Sequence, residues 1–83
     1  MPLVTSDQIR AGRALLDISQ AELTRRARVT LGTVCRIERP AVPISGQVST
    51  ISRIIEALED NGIVFTRHGV ELERDAQREH SPA

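Results

Sequence analysis

Apolar residues along this chain recur at two spacings. From the N-terminus to Gly62 they fall mostly three or four apart, the period of an amphipathic helix. From Ile63 they alternate, the period of a strand. Ile9 and Leu16, with Arg13 between them, form the stripe of a first helix running to about Leu16. Thr5 with Gln8 is a capping box for it, with Ser6 as the alternative cap. Gly12 lies on this helix where a neighbour can come close. Ser19 with Glu22 is a second capping box and opens a helix over about Gln20 to Ala27, with Leu23 and Ala27 on its apolar face. Thr30 caps a third helix, over about Leu31 to Glu38, in which Val34 and Ile37 face inward. Pro40 and Pro43 stop it. Ser45 is the candidate cap of a fourth helix, which ends near Asn61-Gly62. Ile51, Ile54, Ile55 and Leu58 are its core stripe, the strongest in the chain.

After Gly62 the β-prone run Ile63 to Thr66 and the alternating run Val70 to Glu73 flank Arg67-His68-Gly69. Pairing Phe65 with Val70 sets Ile63 opposite Leu72 and puts all four apolar side chains on one face. The expected architecture is mainly α: four helices over residues 1–62, a short β-hairpin over 63–75 and a disordered tail over 76–83. Left bare, the apolar hairpin face invites a second copy. Ile63, Phe65, Val70 and Leu72 are therefore the expected dimer interface; the alternative folds the hairpin back onto the fourth helix of its own chain and leaves a monomer.

Composition narrows the chemistry. With 83 residues the chain makes one small domain, and oligomerisation is a common way to enlarge so small a core. Phe65 is the only Phe, Tyr or Trp, which argues against a binder that stacks single-stranded bases. Cys35 is the only cysteine, so no internal disulfide or thiolate metal cluster is expected. No catalytic set or metal-ligand spacing is visible, and neither an enzyme nor a cofactor is expected. No run reaches membrane length and no signal-peptide pattern opens the chain, so the expected location is cytoplasmic, without a membrane partner.

The formal net charge is zero, but its halves differ. Residues 1–39 carry seven Arg against four acids; residues 40–83 carry four Arg against seven acids. A basic half and an acidic half suit a molecule that turns one side toward phosphate.

Helix, short turn and helix over Ser19 to Glu38 is helix-turn-helix spacing. The stretch SQAEL at Ser19 to Leu23, with Val29, Val34 and the Ile37-Glu38 ending, resembles the Cro/phage-repressor (XRE-like) family over about Ile9 to Leu58. The resemblance implies a homodimeric, sequence-specific regulator, most simply a repressor, on palindromic double-stranded DNA. It also implies that Gln20 contacts phosphate or base, that Arg13 and Glu38 form an ion pair between the first and third helices, and that the third helix reads the major groove. Leu31, Gly32, Thr33, Cys35, Arg36 and Arg39 are its outward candidates, with Thr30 at its cap. Arg36 leads, because Arg can bond a guanine with two hydrogen bonds. Arg10, Arg25, Arg26, Arg28 and Arg39 are candidate phosphate contacts. The chain departs from the family at Arg28, where a left-handed glycine is usual, and at Leu31-Gly32, where polar readers are usual. The resemblance also allows a HipB-type antitoxin with a toxin partner. A third reading is a protein-interaction module that keeps the fold without DNA binding.

Overall fold

The computed structural model describes residues 4–40 and 48–73. Four helices and one two-stranded antiparallel sheet follow one another: α1 (Ser6–Leu15), α2 (Gln20–Ala27), α3 (Leu31–Ile37), α4 (Val48–Glu59), β1 (Ile63–Phe65) and β2 (Val70–Leu72). The Ser45 cap and the expected tail lie outside the described residues.

Capping chemistry sets the helix starts. Thr5, not Ser6, caps α1: its hydroxyl accepts from the Gln8 amide at 3.2 Å, and the Gln8 Oε1 accepts from the Thr5 amide at 2.9 Å. Ser19 caps α2 with one half of the expected box. Its Oγ accepts from the Glu22 amide at 3.0 Å. The Glu22 carboxylate instead pairs with Arg25 and Arg26, three and four residues on, in the last turn of α2. Two charged bonds outweigh one bond to an exposed backbone amide. Thr30 caps α3, accepting from the Thr33 amide at 3.2 Å.

The α1–α2 and α2–α3 links use left-handed backbone. Arg28 ends α2 at φ 58°, ψ 48°, and the Val29 amide reaches back to the Thr24 carbonyl at 3.1 Å. This is a Schellman ending, for which glycine is the unstrained choice. Asp17 takes φ 55° between α1 and α2, a conformation that Asp tolerates better than most residues.

The core joins all four helices to the sheet. Ile9, Leu23, Ala27, Val34, Ile37, Ile54, Ala57, Leu58 and Ile63 are buried together. On α4 the deepest line is Ile54, Ala57 and Leu58, while Ile51 and Ile55 are half-buried at its sides. A β-carbon built on Gly12 would sit 3.4 Å from Ile63 Cγ2 and 3.5 Å from Leu58 Cδ1. Gly12 thus faces Ile63 and Leu58 where α1 meets β1 and α4, at distances that a methyl group would also fit.

The sheet pairs Ile63 with Leu72, Val64 with Glu71 and Phe65 with Val70, the register that alternation requires. The apolar face is not bare in the single chain. Ile63 is 2% exposed, and Phe65, Val70 and Leu72 pack on the same core. Ile63 therefore has no surface to offer a second copy, and the other three offer only part of theirs. Gln8 holds the hairpin in place: its Nε2 donates to the Thr66 carbonyl at 2.8 Å and the Gly69 carbonyl at 3.0 Å. The hairpin folds onto α1 because that buries its apolar face and satisfies two loop carbonyls at once.

Candidate functional site

The expected site residues gather on α2, the Arg28-Val29-Thr30 turn and α3. What holds these elements together is a buried polar junction. Glu38, at the C-terminus of α3, is 3% exposed. Its carboxylate accepts from Arg13 Nε at 2.8 Å and Arg13 Nη2 at 3.1 Å, a two-pronged pair between α1 and α3. Gln20 Nε2 donates to the same carboxylate at 3.0 Å, which adds α2 to the junction. Arg13 Nη1 also donates to the Ile18 carbonyl at 3.0 Å, and Arg10 donates to the Glu38 carbonyl. Every buried side-chain N and O among the described residues has a partner.

The junction redefines three of the candidates. Gln20 is half-buried and its amide is committed to Glu38. Cys35 is half-buried, with Sγ 3.5 Å from Gln20 Oε1, so its thiol lies at the seam between α2 and α3 and not on an open face. Spacing alone assigned Cys35 outward. On a helical wheel it sits at the margin of the buried arc, and Gln20 draws its thiol in. Thr33 is also half-buried, and its hydroxyl lies 2.8 Å from that of Thr30. Both threonines thus serve the cap of α3.

The outward surface of α3 is then Leu31, Gly32 and Arg36, with Arg39 two residues past its end, all exposed. Leu31 is 49% exposed, a large apolar side chain with about half its surface in water. Arg36 and Arg39 are one turn apart, joined by a bond from the Arg39 amide to the Arg36 carbonyl at 3.3 Å.

The seven arginines of the first half divide into two sets. Arg10 pairs with Asp7, Arg13 with Glu38, and Arg25 and Arg26 share Glu22. Arg26 Nη1 also donates to Asn61 Oδ1 at 2.6 Å, which ties α2 to the end of α4. Arg28, Arg36 and Arg39 are exposed and make no ion pair with another described residue. Of the phosphate candidates, Arg10 and Arg26 are thus engaged in holding the fold. Within residues 1–39 the arginines without an ion pair to a described residue lie on the turn and at α3; Arg53 and Arg67 are likewise exposed and make none.

Two contributors were not assigned from sequence. Gln8 was read only as a cap partner, yet its amide nitrogen also fixes the hairpin loop; a 58-residue separation leaves no local signal. Arg10 was read as a phosphate contact, yet it closes the end of α3. Among the described residues no group of His, Cys, Asp and Glu is arranged to hold a metal ion. No helix among them is long and apolar enough to cross a membrane. No protein family, curated protein or solved structure matches this chain.

Proposed function

We propose that this chain is a helix-turn-helix regulator that binds specific double-stranded DNA as a homodimer, with α3 in the major groove. The observation that supports it most is the division of the arginines. Each arginine on α1 and α2 sits in an ion pair, Arg25 and Arg26 sharing Glu22, while Arg28, Arg36 and Arg39 are exposed along the turn and at α3 with no ion pair to a described residue. A helix fits the major groove, and an exposed Arg on it can bond guanine O6 and N7 together. The junction at Glu38 supports the same reading, because it fixes α3 against α1 and α2 through charged bonds around a buried carboxylate. A reading helix must be held rigidly to discriminate between bases.

Dimerisation is part of the proposal. Each strand of the sheet has one strand neighbour, so each keeps an outer edge, and Val64 is exposed on the face away from the core. A second copy that pairs along an edge would enlarge the sheet. This places the expected contact on strand edges, since the inner apolar face is already used.

Exposed Leu31 favours a second reading, in which α3 docks on a protein, including a toxin partner. The salt dependence of duplex binding tests the choice. On the DNA reading the logarithm of affinity falls linearly with the logarithm of salt, with a slope of about −0.9 per phosphate neutralised. A chain that binds no duplex at low salt, or binds with no such slope, overturns the DNA reading.

A further inference from the structure

Gly32 packs against no side chain of the described residues. A β-carbon built on it meets no atom within 4 Å, and its backbone is not left-handed. This sets it apart from Gly12, whose β-carbon would meet Ile63 and Leu58 at van der Waals contact. It also differs from Gly62, which takes φ 99°. Glycine inside a helix weakens that helix relative to alanine, because its backbone loses more freedom on folding. On a helix of 7 residues that weakness is uncompensated by anything the fold gains. No described residue uses the space that the missing side chain leaves, and that space is open to something outside the chain.

Gly32 and Arg36 are four apart, so they share one face of α3. Helical side chains lean toward the N-terminus and cover the turn before their own. The open space above Gly32 is therefore the space toward which the stem of Arg36 leans. Leu31 and Arg39 border it, both exposed.

We infer that Gly32 is the point of closest approach between α3 and duplex DNA. The missing side chain lets the helix sink far enough into the groove for Arg36 to reach a base edge. Gly32 is thus a positioning residue that acts through Arg36. This rests on the DNA-binding reading above, and it singles out a residue that makes no polar contact of its own.

The test uses the full chain with Gly32→Ala, Arg36→Ala and the double variant, on duplexes selected by the wild-type protein. A purely structural glycine and an approach glycine give opposite signs. Alanine relieves the helix, so the thermal midpoint rises by about 2–6 °C. Affinity for the selected duplex falls about tenfold to a hundredfold, the worth of one bidentate pair. Preference at the base pair read by Arg36 relaxes in the same variant. In the Gly32→Ala background, Arg36→Ala costs little more, because its contact is already lost. A lower midpoint for Gly32→Ala overturns the inference, since glycine would then serve the fold. Unchanged affinity and base preference overturn it as well, as does a full additional loss in the double variant. A wild-type chain that binds no duplex overturns the DNA reading itself, and this inference with it.

Discussion

Replacing Glu38 by Ala is the severest single test of how α3 is held. The wild-type carboxylate receives three side-chain hydrogen bonds, from Arg13 Nε at 2.8 Å, Arg13 Nη2 at 3.1 Å and Gln20 Nε2 at 3.0 Å. The substitution leaves the Arg13 charge without its counter-ion and the Gln20 amide without its acceptor. Removing one partner of a buried ion pair costs about 3–5 kcal/mol. The Arg13 side chain is 23% exposed and keeps its bond to the Ile18 carbonyl, so water can recover part of this. The expected loss is about 2–4 kcal/mol. A domain of 83 residues has roughly 4–12 kcal/mol in all, so the change removes a large share. In urea, with m of about 1–3 kcal/mol per molar, the midpoint falls by about 1 M or more. Glu59, exposed at the end of α4, is the control, and Glu59→Ala stays within about 0.5 kcal/mol of wild type. Replacing Arg13 and Glu38 together by Met is milder than Glu38→Ala, because no charge is left stranded. Equal midpoints for Glu38→Ala and Glu59→Ala would refute the account of the junction. So would a double variant less stable than Glu38→Ala alone.

Three further outcomes follow from the same geometry. Arg28→Gly removes left-handed strain at the end of α2 and raises stability by about 0.5–1 kcal/mol in urea unfolding, whereas a lower midpoint would contradict the strain argument. Gln8→Ala strips the Thr66 and Gly69 carbonyls of a donor and costs about 1–3 kcal/mol; amide exchange at Thr66 should quicken, and unchanged exchange would show that the hairpin does not depend on Gln8. Arg28→Ala and Arg39→Ala each lower the salt slope of duplex binding by about 0.9 per chain, while Arg25→Ala, paired with Glu22, changes it little; an equal fall for Arg25→Ala would erase the distinction between the two sets of arginines.

The local rules read this chain well because its signals are local. Caps at Thr5, Ser19 and Thr30 declare themselves within four residues. The alternation from Ile63 to Leu72 allows one register that keeps its apolar residues together. The left-handed turn at Arg28 was legible as a departure from glycine, but the one at Asp17 was not, because Asp marks turns of many kinds. What sequence could not settle was competition between partners. Glu22 could bond its cap amide or two arginines, and it takes the arginines. Gln20 and Cys35 have the spacing of surface residues, yet each lies within reach of the other across the α2–α3 seam. The hairpin face could close on another copy or on its own helices, and a Gln8 side chain 58 residues away decides for α1. Such choices depend on distances that exist only after folding, so pattern and propensity do not encode them.

The central claim is that the outward face of α3 reads duplex DNA. Selection of bound sequences from a random duplex pool, with the full chain as bait, tests it most directly. The account predicts an enriched site with two-fold symmetry, its half-sites about one turn apart, roughly 34–36 Å, and a guanine in each half-site whose preference disappears in Arg36→Ala. A pool that emerges without enrichment over its starting composition would contradict the claim.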